Sequence, residues 1–320
     1  MGQHSDSLGN YILNNLAFIF PGQGSQKVGM GQDLYNETLI GKMRFEEADE
    51  IMDMNLSSLI LEGPEEKLKQ TEFTQPALYV VSVVLAELLM KDGIIPSLAA
   101  GHSLGEYSAL AAAGSFSFSE GLQLVKVRSK GMKEAGKTQP GTMAAIIGLD
   151  EDAIVQICDD ASASGIVQPA NFNSHNQIVI SGDLNGVRQA MKLAENAGAR
   201  KTIELNVSGA FHSILMEPAK EKLAEALQLQ TLNEPNFPVV MNVTAKQTKD
   251  PDEIRQNLLA QLDNPVLWTA TVEAIRDAGA SEIVEVGPGR TLQGLIRRID
   301  KSIAIRGVSN LTDIKKNVHA

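Results

Sequence analysis

Cysteine is all but missing. Cys158 stands alone among 320 residues, so no disulfide can close within the chain and no tetrahedral thiolate metal site can be assembled. A reducing, cytoplasmic setting is the corresponding expectation. Positive charge is also short: 28 Lys plus Arg against 39 Asp plus Glu leave a net charge of −11, a sign that opposes general binding to nucleic acid or anionic membrane. A long apolar run is lacking. The most apolar stretch, Pro76–Met90, covers about 15 residues with Glu87 inside it, against the roughly 20 that a bilayer core demands, and reads as a buried helix. The N-terminal MGQHSDSLGNYILNN has no arginine and no basic region ahead of a long apolar stretch, so neither secretory nor transit-peptide chemistry is expected. Residues 1–14 read as an arm, and no internal repeat or low-complexity tract is visible.

What is present is ordinary globular composition, 43% apolar and 21% charged, which disfavours collagenous, disordered and disulfide-scaffold classes together. The length suits one large domain or two ordinary ones. Short apolar runs alternate with helix-length patterns in the first third: Leu16–Phe20, a Gly-rich loop, then Ser97–Gly101 leading into Leu104–Ala113. That alternation predicts a parallel sheet covered by helices. From Thr142–Ile147 the rhythm changes to strand, helix from about Glu151, strands near Ile166–Phe172 and Gln177–Ser181, helix from about Leu184, and a strand at Lys201–Leu205. This is the βαββαβ order of ferredoxin-like domains. Alternation then resumes with Val239–Val243, a helix around Val266–Ala278, Glu282–Val286 and a further helix. The fold class is therefore α/β. A large discontinuous domain of residues 15–137 and 208–306 carries an inserted small domain at 138–207, and 307–320 forms a second terminal arm. The flanks Gly136–Gly141 and Ser208-Gly209-Ala210 suit hinges, and the cleft between two domains is the default ligand site.

Gly101-His102-Ser103-Leu104-Gly105 follows a small-residue strand and precedes a helix-prone segment. A serine in G-x-S-x-G sits on a tight strand-to-helix turn, where the helix N-terminus favours negative charge; the plain alternative is a βα turn with Ser103 as N-cap. A serine nucleophile needs a base. His4 and His319 lie near the chain ends, His102 adjoins Ser103, and His175 belongs to a connection between two strands of the small domain. His212, where the chain returns from the insert, is the preferred base. Ser117-Phe118-Ser119-Glu120 reads as a capping box opening a helix on which Lys126, Lys130, Lys133 and Lys137 form a stripe. Arg128 is about 200° from Lys126 at 3.6 residues per turn and aligns with Leu124 and Met132, so the lysines face water and Arg128 faces inward. A buried guanidinium demands an anion, either an internal carboxylate or a ligand. Phe20-Pro21-Gly22-Gln23-Gly24-Ser25-Gln26 is neither a Walker A loop nor G-x-G-x-x-G, and Val286-Gly287-Pro288-Gly289 reads as a tight turn.

Together with Arg128, Gly209-Ala210-Phe211-His212-Ser213 and Asn264-Pro265-Val266, these motifs resemble the malonyl-CoA:acyl carrier protein transacylases, an acyltransferase family of fatty-acid and polyketide synthesis, from about residue 16 to 306. The resemblance implies a hydrolase-like large domain with a ferredoxin-like insert. It implies transfer of malonyl from malonyl-CoA to the phosphopantetheine thiol of acyl carrier protein through a malonyl-serine intermediate, supplying fatty-acid synthesis. Ser103 would be the nucleophile and His212 the base, oriented by the backbone carbonyl of Gln261. The backbone N–H groups of Gln23 and Leu104 would form the oxyanion hole. Arg128 would clamp the malonyl carboxylate, with Met132 and Phe211 among the substrate-binding residues. Leu104 and Phe211 resemble malonyl-selective members. No metal or bound cofactor is implied, CoA being part of a substrate, and the working unit is expected to be a monomer. A freestanding acyltransferase serving a polyketide synthase is the alternative pathway. A serine hydrolase using Asp150, Asp152 or Asp183 as its acid, and a silent carrier-binding subunit, are the rival classes. The lysine stripe is a candidate docking strip for an acidic carrier.

Overall fold

The computed structural model describes residues 16–318; the expected arm 1–14 with His4, and His319 at the other end, lie outside the described residues. The chain opens with β1 (Leu16–Phe20). Helices α1 (Gln32–Glu37), α2 (Leu39–Met52), α3 (Leu56–Glu62), α4 (Glu65–Leu68) and α5 (Thr71–Lys91) follow, then β2 (Leu98–Gly101), α6 (Gly105–Ala113) and α7 (Phe118–Thr138). The middle segment is β3 (Thr142–Ile147), α8 (Glu151–Ala161), β4 (Val167–Ser174), β5 (Gln177–Gly182), α9 (Leu184–Asn196) and β6 (Lys201–Glu204). The chain continues through α10 (Glu217–Leu229), β7 (Val239–Val240), β8 (Gln247–Thr248), α11 (Pro251–Ala260), α12 (Trp268–Asp277), β9 (Glu282–Val286), α13 (Thr291–Ile299), β10 (Ala304–Val308) and α14 (Leu311–Val318).

Two sheets result. The larger runs β10-β9-β1-β2-β7-β8, parallel throughout except for β8. The smaller runs β4-β5-β3-β6 and is antiparallel, which is the strand order of a ferredoxin-like βαββαβ unit. β1 shows why a strand buried on both faces reads as an unbroken apolar run. Leu16, Phe18 and Phe20 enter the core around α5 and α7, while Ala17 and Ile19 enter the core under α12 and α13. The small sheet has its own core, where Ala144 and Ile146 meet Ile154, Ile157, Cys158, Val187 and Ala190. Burial there pushes the Cys158 thiol up to about 12, so this cysteine behaves as a small hydrophobe.

Four sequence expectations change. The helix containing Pro76–Met90 is longer than that apolar run: α5 has 21 residues and is the one described helix long and apolar enough to cross a membrane. Its length excludes nothing; its apolar faces are instead taken up inside the protein, Ala77 to Ala86 being buried without interruption. Residues 307–318 are not an arm. β10 pairs with β9 along its whole length, and Ile314 of α14 is buried in the main core. β7 stops at Val240 because the next backbone amide but one, Asn242 N–H, is drawn to the carboxylate of Glu106. The flanks of the small unit, finally, lie against each other. A Cβ at Gly136 would collide with the carbonyl of Ser208, so glycine here serves close backbone approach. Beyond the flanks, β4 is stapled to the large unit: Phe172 N–H donates to Val266 O and Val266 N–H to Ala170 O, both at 2.9 Å.

Candidate active site

Ser103 stands between β2 and α6 with φ at 52°, a left-handed conformation that non-glycine residues adopt only when their surroundings hold it. The flanking glycines explain the motif. A Cβ at Gly101 would strike the backbone of Gly105, and one at Gly105 would strike the carbonyl of Phe20. The turn therefore closes tightly enough to lift the Ser103 side chain out at the carboxyl end of the sheet. His102 leaves in another direction: its Nε2 meets Asn173 Oδ1 at 2.8 Å, and its ring packs edge-on against Trp268.

His212 also has a left-handed backbone, φ 59°, and is 3% exposed. Its Nε2 lies 2.8 Å from Ser103 Oγ and its Nδ1 2.7 Å from the backbone carbonyl of Gln261. A carbonyl only accepts, so Nδ1 carries the proton and Nε2 is left to receive the serine hydroxyl. Burial, with the nearby Arg128 charge adding to it, holds the imidazole down to about 3, so the free base is the resident form at ordinary pH. Among the described residues no carboxylate completes a triad. Asp150 and Asp183 instead cap α8 and α9, and Asp152 lies in the first turn of α8. His175 is exposed in the β4–β5 turn.

Arg128 is 1% exposed. Its Nη1 donates to Gln75 Oε1 at 2.5 Å, and its Nη2 donates to Gln261 Oε1 at 2.8 Å and to Ser103 Oγ at 3.0 Å. Nε has no partner, and the guanidinium lies 5.5 Å from the Tyr107 ring centroid. Every bonded acceptor is neutral, so among the described residues the charge has no carboxylate at ion-pair distance. Ser103, Leu104, Gln23, Gln75, Met132, Phe211 and His212 line a pocket of about 130 Å³. It has room for a short acyl group. Through Gln23 and Val207 it adjoins a wider cleft of about 500 Å³ bordered by Thr71, Lys133 and Ser208. The backbone N–H groups of Gln23 and Leu104 have no acceptor among the described residues. Among those residues no group of three or more His, Cys, Asp or Glu could hold a metal.

The acyl transferase domain family matches residues 17–318. The chain belongs to the acyl transferase family. Its sequence is 42% identical over 299 residues to the malonyl CoA-acyl carrier protein transacylase of Bacillus subtilis, covering 93% of this chain and 94% of that protein. It is 44% identical over 288 residues to the enzyme of the same name from Escherichia coli K12, covering 90% and 93%. Among solved structures it superposes on malonyl-CoA:acyl carrier protein transacylase from Xanthomonas oryzae pv. oryzae with a TM-score of 0.92 at 42% identity, covering 96% and 98%. A malonyl-transacylase solved in complex with its type II PKS acyl-carrier protein gives a TM-score of 0.92 at 41% identity, covering 95% and 99%.

In this acyl transferase the sequence reading overlooked three side chains around the elbow. Gln75, the acceptor for Arg128, sits among Thr71, Glu72 and Thr74 in the opening turns of α5, so its polarity alone does not mark it. Asn242 accepts Ser103 N–H through Oδ1 at 2.8 Å and donates Nδ2 to Gly101 O at 2.6 Å. Glu106 is fully buried; its Oε1 accepts Asn242 N–H and its Oε2 accepts Gln261 Nε2, both at 2.5 Å. Burial pushes this carboxyl up to about 7 against the pull of those two donors and of Arg128. A lone acid among Gly105, Tyr107, Ser108 and Ala109 could have marked it, but an acid in a first helical turn is also ordinary. The lysine stripe is not uniform. Lys126 donates to Ile51 O at 2.6 Å and Lys133 pairs with Glu72, while Lys130 and Lys137 are exposed.

Proposed function

We propose that this acyl transferase moves the malonyl group from malonyl-CoA to the phosphopantetheine thiol of acyl carrier protein, supplying extender units for fatty-acid synthesis. The observation that carries the reading is Arg128, a buried cation beside Ser103 whose bonded partners are all neutral and whose Nε is free. A carboxylate on the acyl chain provides the anion the pocket lacks. Ser103 Oγ attacks the thioester carbonyl as its proton passes to His212 Nε2, and the tetrahedral oxyanion rests on the N–H groups of Gln23 and Leu104, donors of a kind typically worth about 3–4 kcal/mol each. The C–S bond then breaks and CoA leaves with that proton. In the second half the carrier thiol gives its proton to His212 and attacks the malonyl-serine ester, and Ser103 recovers its hydrogen. Gln261 O keeps the imidazole in the tautomer both halves require, and Met132 and Phe211 shape the acyl pocket.

A monomeric working unit is part of this proposal, and the lone buried Cys158 accords with a reducing cytoplasm. The relative solved with a type II PKS acyl-carrier protein favours a second reading, service to a polyketide synthase, which a competition between carrier proteins decides. The primary test is intact mass after brief exposure to malonyl-CoA. A malonyl adduct is expected on the native protein and none on Ser103→Ala. Turnover without an enzyme-bound acyl group, or an adduct elsewhere, overturns the mechanism.

A further inference from the structure

An amide has two ends with opposite demands, and Gln261 meets a different demand at each. Its Nε2 faces three acceptors, Glu106 Oε2 at 2.5 Å, Ser103 O at 2.9 Å and Asn242 Oδ1 at 3.4 Å. Its Oε1 faces a donor, Arg128 Nη2, at 2.8 Å. Turned over, the amide would set oxygen against a carboxylate and nitrogen against a guanidinium. The second oxygen of Glu106 fixes Asn242, whose side chain holds Ser103 N–H and Gly101 O. Three backbone groups of the strained elbow are thus held by two side-chain amides, and both answer to one buried carboxylate. No Lys or Arg lies within ion-pair distance of Glu106 among the described residues; Arg128 faces it across the width of one amide.

We propose that Glu106 is a positioning residue for acyl transfer: as a buried carboxyl whose two oxygens both accept N–H bonds, it orients Gln261 so that the amide presents oxygen to Arg128 while its nitrogen braces the Ser103 elbow. The inference rests on the functional reading above, in which Arg128 receives the substrate carboxylate. It places a carboxyl one amide behind Arg128 that sets the cation's direction without contacting it, leaving it able to take the incoming carboxylate. The role differs from that of a triad acid, because Glu106 acts on the arginine and the serine backbone and does not touch His212.

The test is a double-mutant cycle on malonyl and acetyl transfer. Glu106→Gln keeps the shape but brings an N–H against either Asn242 N–H or Gln261 Nε2. Gln261→Ala removes the amide and keeps the backbone carbonyl on which His212 depends. Glu106→Gln is expected to lower kcat/KM for malonyl-CoA by roughly 10- to 100-fold and acetyl transfer by less, narrowing the preference for malonyl. Added to Gln261→Ala, the same change should cost less than about threefold. Full additivity, or equal losses for both acyl groups, overturns the proposal and leaves Glu106 a plain structural acid. If Glu106→Gln does not fold, as judged by thermal unfolding, Glu106→Asp is run under the same criterion. Native protein that transfers no malonyl group to carrier would instead refute the functional reading itself.

Discussion

In the proposed reaction Arg128 discriminates between acyl groups, and the expected consequence of deleting it is asymmetric. A desolvated charge pair broken on one side costs roughly 2–5 kcal/mol, or about 30-fold to several-thousand-fold in rate. Arg128→Ala should lower kcat/KM for malonyl-CoA by that order. Acetyl transfer should persist or rise, since an acetyl group leaves the native guanidinium buried without an anion and the alanine variant removes that penalty. Equal losses for the two acyl-CoAs would show that Arg128 supports the fold. His212 has a consequence for stability. Held near 3 in the fold against 6.5 when free, it refuses a proton that the unfolded chain accepts between those values, so stability falls as the pH drops through that window. His212→Ala removes this liability. Between about pH 7 and about pH 5 the native protein should lose more Tm than the variant; parallel curves would mean that His212 titrates normally. Glu106, raised to about 7, tilts the same window the other way but is present in both proteins. Ser103, His212 and Arg128 were legible in sequence because motif, chain order and helical phase each mark a side chain. The role of Gln261 was reached only through resemblance, since a backbone carbonyl has no sequence signature. Asn242 and Glu106 were missed because their roles follow from a strand end and a helix turn meeting across 136 residues.

Helix α7 shows how one element serves two ends. Its capping box is present in both directions, Glu120 N–H to Ser117 Oγ and Ser117 N–H to Glu120 Oε2, and fixes where the helix begins. That phase carries Arg128 inward with Leu124 and Met132, as the periodicity predicts. The lysine face is divided by what α7 packs against. Lys133 partners Glu72 of α5, a residue 8% exposed whose other carboxylate oxygen has no partner. Removing the ammonium leaves a nearly buried carboxylate uncompensated. Lys133→Ala should therefore cost roughly 1–2 kcal/mol, discounted for the partly exposed lysine, and lower Tm by a few degrees. Lys130→Ala should leave Tm where it is, and a calorimetric comparison of the two checks the division. If both shift alike, the stripe is a single solvated face after all. The βαββαβ rhythm was readable from its alternating apolar runs. The length of α5 was not, because Thr71, Glu72, Thr74 and Gln75 at its start do not continue the apolar run. α14 was missed for a related reason: its burial depends on the core that β9 and β10 complete, and periodicity over eight residues is a weak signal.

The molecule as a whole is organised around a seam between the two sheets, crossed by the β4–Val266 hydrogen bonds, by His102 to Asn173, and by Gln168 Nε2 to the carbonyls of His212 and Asp263. Glycine-rich flanks in the sequence suggested hinges, but sequence cannot show that the flanks pack on each other or that a strand of the insert pairs beyond it. A seam held this way predicts a stiff cleft. In hydrogen exchange, the amides of Phe172 and Val266 should be protected as strongly as those of β1 and β2; rapid exchange at both would show that the small unit swings open. The same staple constrains how such a protein can be recombined. Exchanging residues 138–207 for the corresponding unit of another acyl transferase would make a chimaera whose imported second strand must offer a carbonyl and an amide at the places of Ala170 and Phe172. A graft shifted by one residue would present the wrong edge to Val266, three residues upstream of Thr269, which itself bonds Phe172 O. Register at a single parallel bridge, more than the length or sequence of the linkers, therefore decides which inserts this scaffold can accept.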